Sequence, residues 1–260
     1  MDRLFPSVGT RSEDIAERPI APGRFTGSYA RTRVNSSSFE KIGALMSGIT
    51  VKSAGKGRLL IYAEGEPSLW EPTGDNLFRR SDGEDTVLFR EDASGRVTHL
   101  FLGGAPHIAG IRLRWPRTPG FHYILIVVIS SLLLSTLAWP IDALRRNICS
   151  SEGWEAGTPR GARAAALAAC GLGLAFLLGG GMLLSNPDRL SFGIPLVFKV
   201  LLALPLAAIP VSLAVLFFTG AAWIRRWWTW CDRVHYTLVL GGLAGFFWFL
   251  NFWNLLGYRF

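Results

Sequence analysis

Polar and apolar positions alternate in two different ways along this 260-residue chain. From Arg24 to Trp115 the apolar residues come in short runs broken by turn residues. That pattern predicts strands near 24–31, 48–53, 58–64, 68–72, 76–80, 86–91, 95–102 and 109–115. Between them AGKG (54–57), EGEP (64–67), TGDN (73–76), SDGED (81–85) and DASG (92–95) supply Gly for positive φ and Asp or Asn for local hydrogen bonds. In the last run, Ile111, Leu113 and Trp115 fall on one face and Arg112 and Arg114 on the other. A helical turn is expected at Phe39–Met46, introduced by Asn35-Ser-Ser-Ser38. Short strands at regular spacing, without βαβ alternation, predict a small antiparallel β-barrel or sandwich over 23–119. About 95 residues are enough to bury a core.

The second pattern is continuous. Four apolar runs, Phe121–Ile141, Ala164–Ser185, Ile194–Gly220 and Tyr236–Leu256, are each long enough to cross a hydrocarbon core of roughly 30 Å. The fold class expected is therefore an α+β membrane protein: a β domain at 23–119, then a four-helix transmembrane bundle at 120–260. Residues 1–22 are polar, contain Pro6, Pro19 and Pro22, and read as a linker with no signal-peptide core.

Charge sharpens this division. Residues 1–119 hold 17 Lys+Arg and 14 Asp+Glu, a net +3; residues 120–260 hold 10 and 5, a net +5, which together give the total of +8. The arginines are scattered rather than gathered on one periodic face, which argues against nucleic acid as a partner. In the second part they flank the apolar runs. Arg145, Arg146, Arg160 and Arg163 follow the first span, and Arg225, Arg226 and Arg233 follow the third. Only Arg189 lies between spans two and three. The positive-inside rule then puts 142–163 and 221–235 in the cytoplasm and both termini outside, although Arg112, Arg114 and Arg117 oppose it. An outside domain of this size needs help to cross a membrane, so a further segment is expected ahead of Met1.

Candidate chemistry is sparse. Cys149, Cys170 and Cys231 form no CxxC, and a disulfide framework is not expected. Ser38-Phe-Glu-Lys41 matches S-x-x-K, but no Y-x-N or S-x-N accompanies it, so a helix-cap serine and a surface lysine are the expected roles. His99, His107, His122 and His235 share no metal-ligand spacing, and neither a metal nor a cofactor is expected. Lys199, near the start of the third span, reads as a side chain extending to the interface. Asn251 and Asn254 suggest contacts between helices, and Gly171, Ala175 and Gly179 a face for close helix approach. Pro195, Pro205 and Pro210 should bend the third span. Trp139, Trp223, Trp227, Trp228, Trp230 and Trp253 suggest an interfacial belt.

Several ordered stretches resemble a known module. GRFTGSYARTRVNSSSFEKIGALMSGITV (23–51) opens with Phe25, Gly27, Tyr29, Thr32 and Arg33, and LWEPTGDNLFRRSDGEDTVLFREDASGRVTHLFLG (69–103) carries Phe78, Arg79, Gly83, Phe89, Arg90, Asp92, Gly95, Arg96, Val97, Thr98, His99 and Leu100. With IRLRW (111–115), these resemble the β-rich domain that follows the catalytic domain in bacterial serine hydrolases of the β-lactamase/penicillin-binding-protein superfamily. Met1-Asp-Arg-Leu-Phe-Pro6 is similar to the end of such a hydrolase domain. The resemblance implies a non-catalytic, membrane-anchoring C-terminal part, whose β domain positions or covers a hydrolase domain upstream or on a separate chain. It carries over no catalytic residue, and the chain is not expected to be an enzyme on its own. The location implied is the bacterial inner membrane, with the lipid bilayer as a partner. A stand-alone membrane sensor or ligand-binding module with a small β-barrel is the alternative, and a small transporter using Lys199 a third.

Overall fold

The computed structural model describes residues 21–32, 37–63, 66–105, 109–141, 160–185 and 195–258. They divide into two compact units. One holds the strands, and the other the four long helices together with residues 37–42. The linker expected at 1–22, His107, Cys149, Arg145, Arg146 and Arg189 fall wholly or largely outside the described residues.

Eight strands form the first unit: β1 (Gly27–Arg31), β2 (Ile49–Gly55), β3 (Arg58–Ala63), β4 (Glu66–Pro72), β5 (Leu77–Arg80), β6 (Thr86–Glu91), β7 (Val97–Leu102) and β8 (Ala109–Arg112). Each pairs antiparallel with its sequence neighbour, and β8 returns to β1 with Tyr29 opposite Arg112, closing a barrel. Closure removes every free sheet edge, and of barrel and sandwich it is the barrel that forms. Period-two alternation fills the interior: Ile49 and Val51, Leu59 and Ile61, and Val87 and Phe89 all point inward. In β7 the inward residues are Val97 and Leu100, three apart. A register shift opposite Arg90 and Glu91 makes Thr98 the extra residue of a bulge. Phe25, Phe78 and Phe89 meet at 4.8–5.7 Å in tilted and edge-on contacts that cap this core.

Local turn chemistry explains the register. In AGKG, Gly55, Lys56 and Gly57 all have positive φ, and Gly55 pairs with Arg58 around the two-residue Lys56-Gly57 loop. In DASG, the Asp92 carboxylate accepts from Ser94 N at 2.9 Å, Arg96 N at 3.0 Å and the Ser94 hydroxyl at 2.5 Å. The last strand is shorter than its alternation suggests. β8 ends at Arg112, and the Ile111 side of it faces outward, with Ile111 45% and Trp115 73% exposed. Gly110 turns inward instead, where a Cβ would come within 3.2 Å of Tyr29 Cβ.

The second unit contains α1 (Pro119–Ser135), α2 (Arg160–Leu184), α3 (Leu196–Ile224) and α4 (Trp230–Phe252). Four segments, Pro119–Ile141, Gly161–Leu184, Leu196–Ile224 and Trp230–Phe252, are long and apolar enough to cross a membrane. Their outward faces stay apolar: Val128, Leu178, Met182, Leu213 and Phe217 are all exposed, a surface suited to lipid rather than water. Inward faces repeat at three- and four-residue steps, as in Leu201, Pro205, Ala208, Ser212, Val215, Thr219 and Ala222 of α3. This seam is the pattern of near-parallel helix packing. α3 runs unbroken through Pro205 and Pro210. Two of the hydroxyls within the helices bond back along their own helix, Ser131 to Val127 O and Thr219 to Val215 O, so neither needs water.

Candidate functional site

In the helical unit, Ser38 and Lys41 have separate partners. The Ser38 hydroxyl accepts from Glu40 N at 3.3 Å, as a cap does. The Lys41 amine donates to the carbonyl oxygen of Phe252, the last residue of α4. It also lies 4.4 Å from the Phe252 ring centroid and 5.9 Å from that of Trp253. A cation placed on an orphan carbonyl at a helix C-terminus, against two aromatic faces, is a clamp and not a solvated surface lysine. Residues 39–45 form a 3-10 helix, close to the turn expected at Phe39–Met46.

The same end of the bundle gathers further polar and aromatic groups around the end of α4. His122, in the first turn of α1, is fully buried. Its ring lies 4.7 Å from Phe252, 4.9 Å from Trp253 and 6.0 Å from Phe249. Trp253 Nε1 donates to His122 Nδ1 at 3.3 Å, so Trp253 is buried structure and not a belt residue. Asn254 lies just past α4 with φ +56°, its amide donating to Ser38 O at 3.3 Å. That left-handed residue lets Leu255 N reach back to Leu250 O at 2.8 Å and close the helix end. Lys199 is exposed in the first turn of α3.

At the opposite end, Tyr236 donates to Ala162 O at 2.8 Å, and its ring stacks 5.9 Å from Trp139 and lies tilted 5.0 Å from Trp228. Ser135 and His235 are within 2.8 Å, and Trp223 Nε1 donates to Thr237 at 3.0 Å. Thr229 caps α4, accepting from Asp232 N at 3.3 Å, which starts that helix six residues before the apolar run at Tyr236. Close helix approach on α2 runs through Gly173, where a Cβ would meet Leu133 at 3.1 Å, and through buried Ala162, Ala166 and Ala169. Of Gly171, Ala175 and Gly179, the first two face outward, and only Gly179 meets a partner, Leu201. Of the expected face, Gly179 lies at a helix contact, and Gly173 takes the role expected of Gly171 and Ala175.

In the barrel unit the interior is solid. Twelve buried side chains fill it, including Trp70 and Tyr29. Tyr29 donates to Phe25 O at 2.7 Å, and burial pushes its phenol up to about 12 against a smaller opposing pull from the Arg112 charge. Two grooves are formed by described residues of this unit. One, of about 590 Å³, is lined by Glu66, Trp70, Arg80, Asp85 and Thr86. The other, of about 570 Å³, is lined by Arg24, Arg96, His99, Arg112 and Arg114. Among the described residues no cluster of three or more His, Cys, Asp or Glu could hold a metal.

Fold and site define a class, a multi-pass membrane protein carrying an eight-stranded antiparallel barrel. No known protein family, curated protein or solved structure matches this chain.

Proposed function

We propose that this chain is the non-catalytic, membrane-anchoring part of a serine hydrolase system, with its barrel positioning or covering a β-lactamase-related hydrolase domain. The observation that carries the reading is the filled barrel. A β domain whose centre is filled by apolar side chains works by presenting its surface, as a positioning or covering domain does, while the apolar helices serve as anchor. The S-x-x-K residues support it as well, since the Lys41 amine is engaged at the end of α4. On this reading the barrel and both termini are extracytoplasmic in a bacterial inner membrane.

The test uses the epitope-tagged full chain in bacterial membranes. Its purification is expected to bring down a polypeptide that takes a fluorescent penicillin label, while the chain itself stays unlabelled and leaves a chromogenic β-lactam intact. Labelling of the chain, or failure of any penicillin-labelled polypeptide to co-purify, overturns the proposal. The outer grooves favour a second reading, a stand-alone membrane-anchored binding module, for which no hydrolase would co-purify.

A further inference from the structure

The groove of about 570 Å³ beside β7 and β8 brings together cations from three separate segments: Arg24 ahead of β1, Arg96 at the start of β7, and Arg112 and Arg114 at the end of the barrel. Two of them are balanced. Arg24 pairs with Glu91, and Arg96 lies 3.4 Å from the Asp92 carboxylate. Arg112 and Arg114 have no carboxylate partner among the described residues.

Arg112 is held by neutral acceptors. Its guanidinium donates to Thr26 O at 2.6 Å, Arg24 O at 3.0 Å and Val97 O at 3.5 Å. It lies against Gly27, whose φ is +148° and where a Cβ would come within 3.3 Å of Arg112 Nε. Carbonyl dipoles fix the orientation of the cation without cancelling its charge. A concave surface with two excess guanidinium charges focuses a positive potential. His99 and Thr98 add polar groups to the same wall, joined to each other at 2.9 Å, and Ile111 and Leu113 add an apolar one.

We infer that this groove binds a phosphate ester. Four guanidinium groups line the groove, two of them without a carboxylate partner among the described residues, and a phosphate offers more acceptor oxygens to such a donor set than a planar carboxylate does. The groove's volume and its apolar wall leave room for the organic part of the ester. The inference goes beyond the proposed hydrolase association and stands without it. The anion could be a soluble phosphate ester or a lipid headgroup, and the test separates these sources.

The full chain in phosphatidylcholine nanodiscs is titrated calorimetrically with inorganic phosphate, glycerol phosphate, short-chain phosphatidylglycerol and short-chain phosphatidylcholine. Saturable binding is expected for at least one of the two ester anions and not for the zwitterionic lipid. Binding of glycerol phosphate identifies a soluble ester, and binding confined to phosphatidylglycerol identifies a headgroup. Arg114→Gln and Arg112→Gln should each weaken it about tenfold, the effect of losing one charge-assisted hydrogen bond. If Arg112→Gln disturbs the barrel, as judged by its circular dichroism, Arg114→Gln carries the test, because that side chain is exposed. Absence of saturable binding by either ester, or an affinity unchanged in Arg114→Gln, overturns the inference.

Discussion

Asp92 organises a turn with one side chain. Three hydrogen bonds converge on its carboxylate, from the Ser94 hydroxyl first and then from the Arg96 and Ser94 amides, and they hold its pKa down at about 2. An unfolded aspartate titrates near ~3.9. Its contribution to stability is thus complete above the unfolded value and lost as pH falls through about 2. A carboxyl NMR titration should place the Asp92 midpoint near that lower value, and a midpoint in the ordinary carboxylate range would refute the turn geometry. The D-A-S-G spacing made this turn legible in sequence. Arg226 is a contrasting residue. It takes φ +52° at the end of α3, so that Trp227 N can reach Ala222 O at 3.1 Å. No residue-type preference points to arginine in that conformation, and only the packed helix end determines it.

Elements are more legible in this sequence than their faces. All eight strands lie where alternation and turn residues put them, with ends shifted by up to three residues. Periodicity in β segments has only two sides to choose between. A helix that is apolar all round offers no such choice, because the lipid face and the packed face of α2 look alike in composition. A repeat of small residues therefore marked Gly171 and Ala175, whereas Leu133 and Phe246 pack on Gly173. Gly173→Leu should destabilise the bundle by about 1–3 kcal/mol through overpacking, whereas Gly171→Leu, which meets nothing within 4 Å, should leave it nearly unchanged. Thermal unfolding of both variants in detergent checks the order. Equal melting temperatures would reject the assigned face.

For the whole molecule, Cys231 reports orientation. It is exposed at the start of α4, whereas Cys170 is buried within α2. With Cys149 replaced by serine, a membrane-impermeant maleimide should label Cys231 in inside-out vesicles and spare it in right-side-out ones. The opposite pattern would place the barrel in the cytoplasm and, with it, remove the proposed hydrolase association. The prediction rests on seven arginines in the loops after the first and third spans against one between the second and third.

By itself the sequence determined that this protein is two unlike parts, a short-strand β unit and four long apolar helices, because period and run length are local properties that survive without a partner. It also carried the turns, since Gly and Asp act within a few residues. Barrel closure, the engagement of Lys41 with the end of α4, the burial of His122 and the gathering of four arginines around one groove were decided only by tertiary structure. Lys41 and Phe252 are 211 positions apart, and Arg24 and Arg112 are 88 apart. No local preference encodes such pairs. They arise once the strands close and the helices pack, when polar groups such as the Lys41 amine and the Arg112 guanidinium take acceptors that the fold brings within reach.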